Sequence, residues 1–217
     1  MVAIQPTNLR MKAAEAIRAS IVAGELEPGI IYPVSYFTSR LGVSATPVRE
    51  ALLDLGSEGL TQVARNKGFR ITELTEHDLD EIFTLRALLE VPSVAEAIGQ
   101  LSAKEMDDCR YSLEEAERCA IAGDLSGFLE FDGLFHASLL KPLGNERLLA
   151  MISRLKDQAQ LRTILRRAHP GHLLTSSREH VELFEAVAEG DAERAMSATK
   201  HHIQHTRALW SPILTKE

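Results

Sequence analysis

Apolar and polar residues follow two different patterns along this chain, and the change falls near residue 75. Before it, segments with helical apolar spacing are separated by short turns, and two runs within residues 60–72 alternate like strands. After it, almost every segment has helical spacing and no strand pattern competes. The pattern predicts a mainly α protein with two domains: helices and a hairpin over residues 1–74, and an all-α antiparallel helical bundle over residues 75–217.

The stretch at residues 40–59, RLGVSATPVREALLDLGSEG, predicts the end of one short helix, a tight turn at Gly42 and a second helix. Ser44 or Thr46 can cap this second helix with its hydroxyl oxygen. Arg49 falls on the outward face, one turn into the helix, where a DNA-reading helix places its base contacts. An ordinary capped surface helix would show the same short apolar run. The inward positions are Val48, Leu52 and Leu55.

Two short strands, LTQVA and GFRIT, follow the second helix and are joined by a polar link at residues 65–68. A short helix over residues 35–41 comes before it, and a longer one ends near Gly24. The inward positions of that longer helix are Met11, Ala14, Ile17 and Ile21. Three helices and a hairpin with a basic tip make a winged helix-turn-helix over residues 1–74.

The net charge of −7 argues at first against a nucleic-acid partner, but the charge is unevenly distributed. Residues 1–74 contain 8 Lys and Arg against 7 Asp and Glu, whereas residues 75–217 contain 16 against 24. A local basic face on the first domain is therefore compatible with the acidic total.

Three strings in the first domain carry a specific resemblance: IRASIVAGELEPG, RLGVSATPVREALLDLGSEGL and RNKGFRIT, in that order and spacing. They resemble the DNA-binding domain of GntR-family transcription regulators over essentially all of residues 7–74. The resemblance implies a homodimer that lays two such helices into successive major grooves of a near-palindromic, double-stranded operator. It implies a regulator of transcription and not an enzyme.

The resemblance also implies roles for individual residues in DNA binding. Ser44 and Thr46 match positions that contact phosphate or base edges, and Arg49 matches a base-reading arginine, which suits a bidentate contact to guanine. The tip of the hairpin matches the wing, where close backbone approach to the minor groove favours glycine. The residues that we assign to DNA binding are Arg40, Ser44, Thr46, Arg49, Arg65, Lys67 and Gly68.

Two positions depart from the family pattern. Many members have an arginine just after the serine of the turn, where this chain has Ala45. Many also begin the preceding helix with an acidic residue and an arginine, where residues 33–37 read PVSYF. Fewer cations predict fewer phosphate contacts and a shallower salt dependence of DNA binding. Arg49 is then expected to carry an unusual share of the direct readout.

Polar residues on the apolar faces of three later helices are the most informative feature of the second domain. Asp132 and His136 lie four residues apart in the middle of one apolar face, and His180 and His202 lie on two others. Helices are predicted near residues 76–100 (interrupted around Pro92), 102–122, 124–141, 145–168, 176–189 and 191–213.

A single inward histidine is usually a satisfied core residue, but an unpaired buried carboxylate is costly. A buried Asp–His hydrogen bond, a catalytic dyad and a metal site all remain open on the pattern alone. Three imidazoles and one carboxylate form a sensible set for one divalent transition metal ion per chain, and we expect Zn²⁺ first, with Ni²⁺ and Mn²⁺ compatible.

FDGLFH, SREHVELFEAVAEGDAERA and KHHI resemble the FCD effector domain, the common partner of the GntR-type domain in the FadR-like branch, over most of residues 75–212. In its metal-binding members, an Asp-x-x-x-His helix and two further histidines ligate one ion. The matching positions are Asp132, His136, His180 and His202. The histidines that match no ligand position, and that we expect to be solvated, are His77, His169, His172, His201 and His205.

The same resemblance implies a small carboxylate effector beside the metal, held by arginines that line the cavity. We assign effector binding to Arg86, on an otherwise apolar face, and to Arg162, which continues the apolar stripe of its helix. A pair with Glu90, four residues on, explains Arg86 equally well. Snorkelling at the end of a long helix is the alternative for Arg162.

The sequence thus favours a ligand-responsive regulator, a repressor as is usual in the family, over a direct metal sensor or a metal-dependent hydrolase. The hydrolase lacks a candidate general base with a nucleophile partner.

Cys109 and Cys119 lie on one predicted helix about 15 Å apart, too far for a mutual disulfide. No apolar run approaches transmembrane length. We therefore expect a cytoplasmic protein with no membrane partner.

Overall fold

The computed structural model describes residues 6–163 and 170–209. The chain divides into two compact units: the first comprises Met1–Leu74 together with the short stretch Gln160–Leu165, and the second comprises the rest of the chain. The described part is mainly helical and has one small antiparallel sheet in the first unit. The predicted fold class is therefore confirmed.

The first unit contains three helices and a sheet whose strands lie in the order β1–β3–β2. Its elements are α1 (Pro6–Val22), β1 (Ile31–Tyr32), α2 (Val34–Leu41), α3 (Ala45–Ser57), β2 (Thr61–Ala64) and β3 (Gly68–Ile71). The α2 helix ends at Gly42, whose φ of 64° is the left-handed conformation that glycine adopts without steric cost. A tight turn into α3 follows, as predicted, and the hairpin β2–β3 forms the wing.

One face of α3 packs on α1 to make the core of this unit. On α1, Ile17 and Ile21 are buried as predicted, but Met11 is 58% exposed and Ala13 is buried. The inward face of α1 is therefore centred on positions 13, 17 and 21, which are spaced four apart, and Met11 lies beside it. All the predicted inward residues of α3 are fully buried: Val48, Leu52 and Leu55.

The β1 strand was not predicted, because it contains only two residues. It pairs with β3, so that Ile31 lies opposite Arg70 and Tyr32 opposite Phe69. This pairing explains Gly68, whose φ is 129° and where a Cβ would lie 2.2 Å from the carbonyl oxygen of Tyr32. The sheet itself therefore requires a glycine at this position, before any contact with DNA is considered.

The second unit is entirely helical within the described residues. Its helices are α4 (Glu76–Ala97), α5 (Ala103–Ala122), α6 (Leu125–Leu140), a short 3₁₀ helix (Lys141–Leu143), α7 (Glu146–Thr163), α8 (Pro170–Glu189) and α9 (Ala192–Leu209). The α4 helix packs against α9, and α5 packs against α6 and α8. Thr75 begins α4 with a capping box to Asp78.

Two predictions about the helices of this unit are wrong: the interruption around Pro92 and the start of a helix near residue 176. The α4 helix continues through Pro92, which is exposed. A proline there removes one backbone hydrogen bond but places its ring in solvent. The α8 helix begins at Pro170, well before position 176, because a proline in the first helical position has no N–H to lose. Residues 164–169 and 210–217 lie outside the described residues.

An apolar cluster lies in the interior of the bundle and includes residues of α4 to α9. Its large side chains with at most 1% of their surface exposed are Phe135, Leu139 and Leu183. Within the described part of the chain, no helix is long and apolar enough to cross a membrane.

Candidate metal centre and DNA-binding helix

Four polar side chains from three helices converge inside the second unit. Asp132 and His136 lie one turn apart on α6, His180 lies on α8 and His202 on α9. All four are buried, with at most 7% of their surface exposed. One possible ligand atom from each lies within 4.8 Å of the others. The structure thus brings together the four residues that the sequence singled out.

The ring of His180 lies at the centre of this cluster. Its Nε2 is 3.2 Å from Nε2 of His136 and 3.2 Å from Nε2 of His202. The Oδ1 oxygen of Asp132 lies 3.3 Å from the same nitrogen and 3.9 Å from Nε2 of His136. A neutral imidazole carries only one N–H, so a single proton on His180 cannot satisfy all these close contacts.

These separations are those expected around a bound cation. Nitrogens that ligate zinc at about 2.0–2.1 Å, with angles of roughly 90–110° at the ion, are about 2.9–3.4 Å apart. Both Nε2···Nε2 distances of 3.2 Å fall within that range. Three imidazole nitrogens and one carboxylate oxygen also form a donor set that suits a divalent transition metal ion. The residues present therefore fit such an ion.

Two glutamates face the histidine nitrogens that point away from the cluster. Glu179 places Oε2 2.9 Å from Nδ1 of His202. Glu90 places Oε2 3.8 Å from Nδ1 of His136, beyond hydrogen-bond length. Carboxylates in such positions favour a proton on Nδ1 and so direct the Nε2 lone pair towards a metal. Nδ1 of His180 has no hydrogen-bond partner among the described residues.

Lys156 on α7 brings a buried cation to the cluster, which the sequence pattern did not predict. Its Nζ lies 2.7 Å from Oδ2 of Asp132, and each side chain is 10% exposed. The contact is a close ion pair whose angles depart from those of a directed hydrogen bond. Asp132 thus turns Oδ1 towards the histidines and Oδ2 towards the ammonium group.

Burial fixes the protonation states of the cluster. It lowers the pKa of His180 to about 4 and holds the pKa values of His136 and His202 well below the ordinary value. The rings are therefore neutral near pH 7, which is the form that binds metal. Burial alone would raise the pKa of Asp132, but the charges around it, with the Lys156 ammonium foremost, together hold this pKa well below its usual range.

Of the two arginines that the sequence assigned to effector binding, Arg86 is the one whose side chain the structure describes. Arg86 is buried, and its Nε donates a 2.7 Å hydrogen bond to Oε1 of Glu90, so the alternative pair is present. Its positive charge is nevertheless close enough to lower the pKa values of His180 and His202. The side chain of Arg162 lies outside the described residues.

The prediction of solvated histidines is wrong for one position. His205 is 27% exposed, and its Nδ1 contacts Oε1 of Glu179. It lies one turn after His202, so the same glutamate reaches both rings. His169 lies outside the described residues. The histidines that are exposed, as predicted, are His77, His172 and His201.

In the first unit, α3 presents polar side chains on its outer face. Ser44 occupies the N-cap position, but its side chain makes no capping hydrogen bond, so that part of the prediction is wrong. Thr46 lies within the first turn and does not cap the helix. Thr46 and Arg49 are both exposed, and Arg49 forms no ion pair with other described residues.

The remaining residues assigned to DNA binding lie on α2 and the wing. Arg40 is exposed, and its guanidinium lies over the ring of Tyr36, 5.2 Å from the centroid. Arg65 and Lys67 are exposed in the turn between β2 and β3. Between them, Asn66 has a φ of 59°, a left-handed conformation that asparagine adopts more readily than most residues in a tight turn.

Sequence reasoning could have found Lys156 but not the two glutamates. Lys156 lies four residues after Ile152, on the apolar face of α7, and a charged residue there is a visible anomaly. Glu179 and Glu90 approach histidines on other helices, so their roles depend on how the helices pack.

Both parts of the chain match known protein families. Residues 9–71 match the bacterial regulatory proteins of the gntR family, and residues 81–205 match the FCD domain. The solved structure of McbR/YncC from E. coli superposes with a TM-score of 0.85 at 25% sequence identity, covering 93% of this chain and 96% of that one.

Two relatives show the same relationship over nearly the whole length. The uncharacterized HTH-type transcriptional regulator YdhC of Bacillus subtilis (strain 168) is 28% identical over 202 residues, covering 93% of this chain and 90% of that protein. The probable D-xylose utilization operon transcriptional repressor of Paenarthrobacter nicotinovorans is 31% identical over 202 residues, covering 91% and 86%. These relatives are transcription regulators and not enzymes, which sets the hydrolase hypothesis aside. The chain therefore belongs to the GntR family of bacterial transcription regulators and carries an FCD domain.

Proposed function

We propose that this regulator is a cytoplasmic, homodimeric repressor whose affinity for operator DNA is controlled by ligands of its FCD domain. Residues 1–74 bind double-stranded operator DNA, and residues 75–217 bind one divalent transition metal ion and a small carboxylate metabolite. The observation that carries the proposal is the convergence of three Nε2 atoms and one carboxylate oxygen inside the FCD domain. The winged helix-turn-helix, in which Arg49 is exposed, is the part that binds operator DNA.

DNA binding is assigned to the outer face of α3 and to the wing. Arg49 has the length and the planar donor pattern for a bidentate contact to O6 and N7 of guanine. Ser44 and Thr46, at the start of α3, are placed where backbone N–H groups also favour a phosphate. Arg65 and Lys67 contact the phosphate backbone beside the minor groove, with Gly68 at the same tip, and Arg40 adds a further phosphate contact.

The metal ion is held by Asp132, His136, His180 and His202. Zn²⁺ is the first choice because three of the four donors are imidazole nitrogens, which lie between hard and soft donors as Zn²⁺ lies between hard and soft ions. Ni²⁺ and Mn²⁺ are compatible with the same donors. When bound, the ion supplies Lewis acidity and coordination positions that an effector carboxylate can occupy. The protein's own part is to keep the imidazoles neutral and aligned, which burial and the carboxylate of Glu179 do.

The effector is proposed to be an anion because cations surround the centre. Arg86 lies close enough to His180 and His202 to lower their pKa values, and Lys156 contacts Asp132 directly. Arg162 is assigned to the same role. Arg86 is already paired with Glu90. To bind the effector as well, its guanidinium group must donate to the carboxylate of Glu90 and to that of the effector at the same time.

A direct metal sensor is the second candidate. Burial of all four ligating side chains favours it, since a fully enclosed centre can respond to the ion without an organic ligand. The two candidates differ in what changes operator affinity: the ion alone, or the ion together with a carboxylate.

The test is a fluorescence titration of the full chain with operator DNA, selected from a random library and checked against the region upstream of its own gene. The protein is studied after chelation, after loading with Zn²⁺, and after loading in the presence of a panel of small carboxylates. We expect sequence-specific binding that one carboxylate weakens and, by reciprocity, weaker binding of that carboxylate when DNA is present. A large change with Zn²⁺ alone favours metal sensing. Absence of sequence-specific binding in every state overturns the proposal.

A further inference from the structure

A buried ammonium group beside a metal ligand is the feature of the centre that metal binding does not explain. Like charges repel, so a cation at this position works against the entry of a divalent ion. Lys156 is nevertheless buried, and its Nζ is directed at Oδ2 of Asp132 from 2.7 Å. A neutral side chain of the same length would cost less to bury.

The charge balance of the metal-free cluster shows what Lys156 does. The groups nearest the Asp132 carboxylate are the His180 ring, whose Nε2 lies 3.3 Å from Oδ1, and the Lys156 ammonium, whose Nζ lies 2.7 Å from Oδ2. Arg86 is committed to Glu90. Lys156 is therefore the cation that compensates the buried carboxylate, and without it Asp132 would be a buried charge with no close Lys or Arg partner among the described residues.

We propose that Lys156 is a built-in counter-cation that stabilises the metal-free FCD domain through Asp132 and thereby lowers the affinity of the centre for its metal ion. This inference rests on the metal binding proposed above. An interaction that is stronger in the free protein than in the loaded one weakens binding by the difference between the two. The ion pair of Lys156 with Asp132 is such an interaction, because the bound ion shares the carboxylate and repels the ammonium.

The geometry also limits how Asp132 can ligate. Lys156 holds Oδ2, and Oδ1 alone faces the histidines. An ion in the cluster would therefore be offered Oδ1, while Oδ2 stays with the ammonium group. Lys156 consequently acts as a positioning residue that keeps the domain folded when empty and the ion exchangeable when bound.

The experiment compares Zn²⁺ affinity and thermal stability in four full-length proteins: the wild type, Lys156→Met, Lys156→Arg and Arg154→Met. Lys156→Met removes the charge and keeps the apolar stem, and Lys156→Arg keeps the charge. Arg154→Met removes a positive charge from an exposed position of the same helix. Each protein is stripped with a chelator, and its Kd for Zn²⁺ is measured by competition with a chromophoric chelator.

Lys156→Met should bind Zn²⁺ at least about tenfold more tightly than the wild type, because a charge within a few ångströms of the ion is removed from a poorly screened site. Its metal-free Tm should fall, and Zn²⁺ should restore most of that loss. Lys156→Arg and Arg154→Met should stay within about threefold of the wild type, since one keeps the cation and the other removes a screened charge.

Equal or weaker Zn²⁺ binding by Lys156→Met overturns the inference. A Lys156→Met protein that folds only when Zn²⁺ is present supports the inference, because the ion then supplies the positive charge that Asp132 has lost. If Lys156→Met fails to fold even with Zn²⁺, Lys156→Gln, which is neutral but can still donate to Oδ2, is put through the same comparison. Failure of the metal proposal itself is distinguishable, because the wild type would then bind no Zn²⁺.

Discussion

His202 and Glu179 are joined across two helices by a 2.9 Å contact between Nδ1 and Oε2, while the Nε2 of the same ring faces His180. With the ring neutral, a proton on Nδ1 is shared with the carboxylate and the Nε2 lone pair points into the cluster. The contact therefore selects the tautomer that a metal ligand needs. Its energetic share in metal binding can be measured by removing the carboxylate.

Replacing Glu179 with alanine should weaken Zn²⁺ binding by about 10–100-fold, because the ring of His202 loses the partner that fixes its tautomer and orientation. The Kd is measured by chelator competition on the full chain. Glu182→Ala is the matched control, since Glu182 is exposed on the same helix three residues later. An unchanged Kd in Glu179→Ala would show that packing alone orients His202.

Periodicity singled out Asp132, His136, His180 and His202 because each lies on an apolar face of its helix, and the resemblance to the FCD domain assigned them to a metal ion. Local spacing suffices for Asp132 and His136, which share α6. It does not suffice for Glu179, whose partner His202 is brought close by the packing of α8 against α9. The two-residue β1 strand was missed for a related reason, since it exists only through its pairing with β3. Features set by a single helix were thus predictable, and features set by contact between elements were not.

Arg49→Ala should cost about 1–3 kcal/mol of specific DNA binding and relax the preference for one base pair, as loss of a bidentate guanine contact does. Arg49→Lys is the informative companion, because it keeps the charge and loses the planar donor pair. It should keep non-specific affinity and its salt dependence while losing specific affinity. The two affinities are measured by titration with operator and with unrelated DNA. Equal specific affinity for wild type and Arg49→Ala would contradict the assignment of α3 as the reading helix.

Gly68→Ala should destabilise the first unit by more than about 3 kcal/mol, because strain at positive φ is joined by a clash with backbone. A Cβ at this position would lie 2.2 Å from the Tyr32 carbonyl oxygen. Gly42→Ala is the control: Gly42 also has a positive φ, of 64°, but no atom lies within 4 Å of its would-be Cβ. Its cost should be about 1–2 kcal/mol. Urea unfolding without DNA measures both, and equal costs would remove the sheet-based explanation of Gly68.

The metal-free protein should lose stability as the pH falls from about 6.5 towards about 4, through its buried histidines. The pKa of His180 is lowered from 6.5 to about 4, and the pKa values of His136 and His202 are lowered well below 6.5. In that window the histidines of the unfolded chain bind protons and those of the folded chain do not. The free energy of unfolding therefore rises with pH and falls on acidification. Each histidine can contribute up to about 1.4 kcal/mol per pH unit.

Glu179, beside the cluster, has the opposite effect on stability. The net sign of the pH effect follows from comparing this carboxyl group with the three histidines. Burial raises the pKa of Glu179 from 4.5 to about 7, so between these values the folded chain holds a proton that the unfolded chain releases. That single carboxyl lowers stability as the pH rises, but three histidines outnumber it. Urea unfolding across the window measures the slope, and His180→Leu should reduce it while His201→Ala, at an exposed ring, should not. A free energy of unfolding that is constant across the window would mean that the histidines are not buried in neutral form.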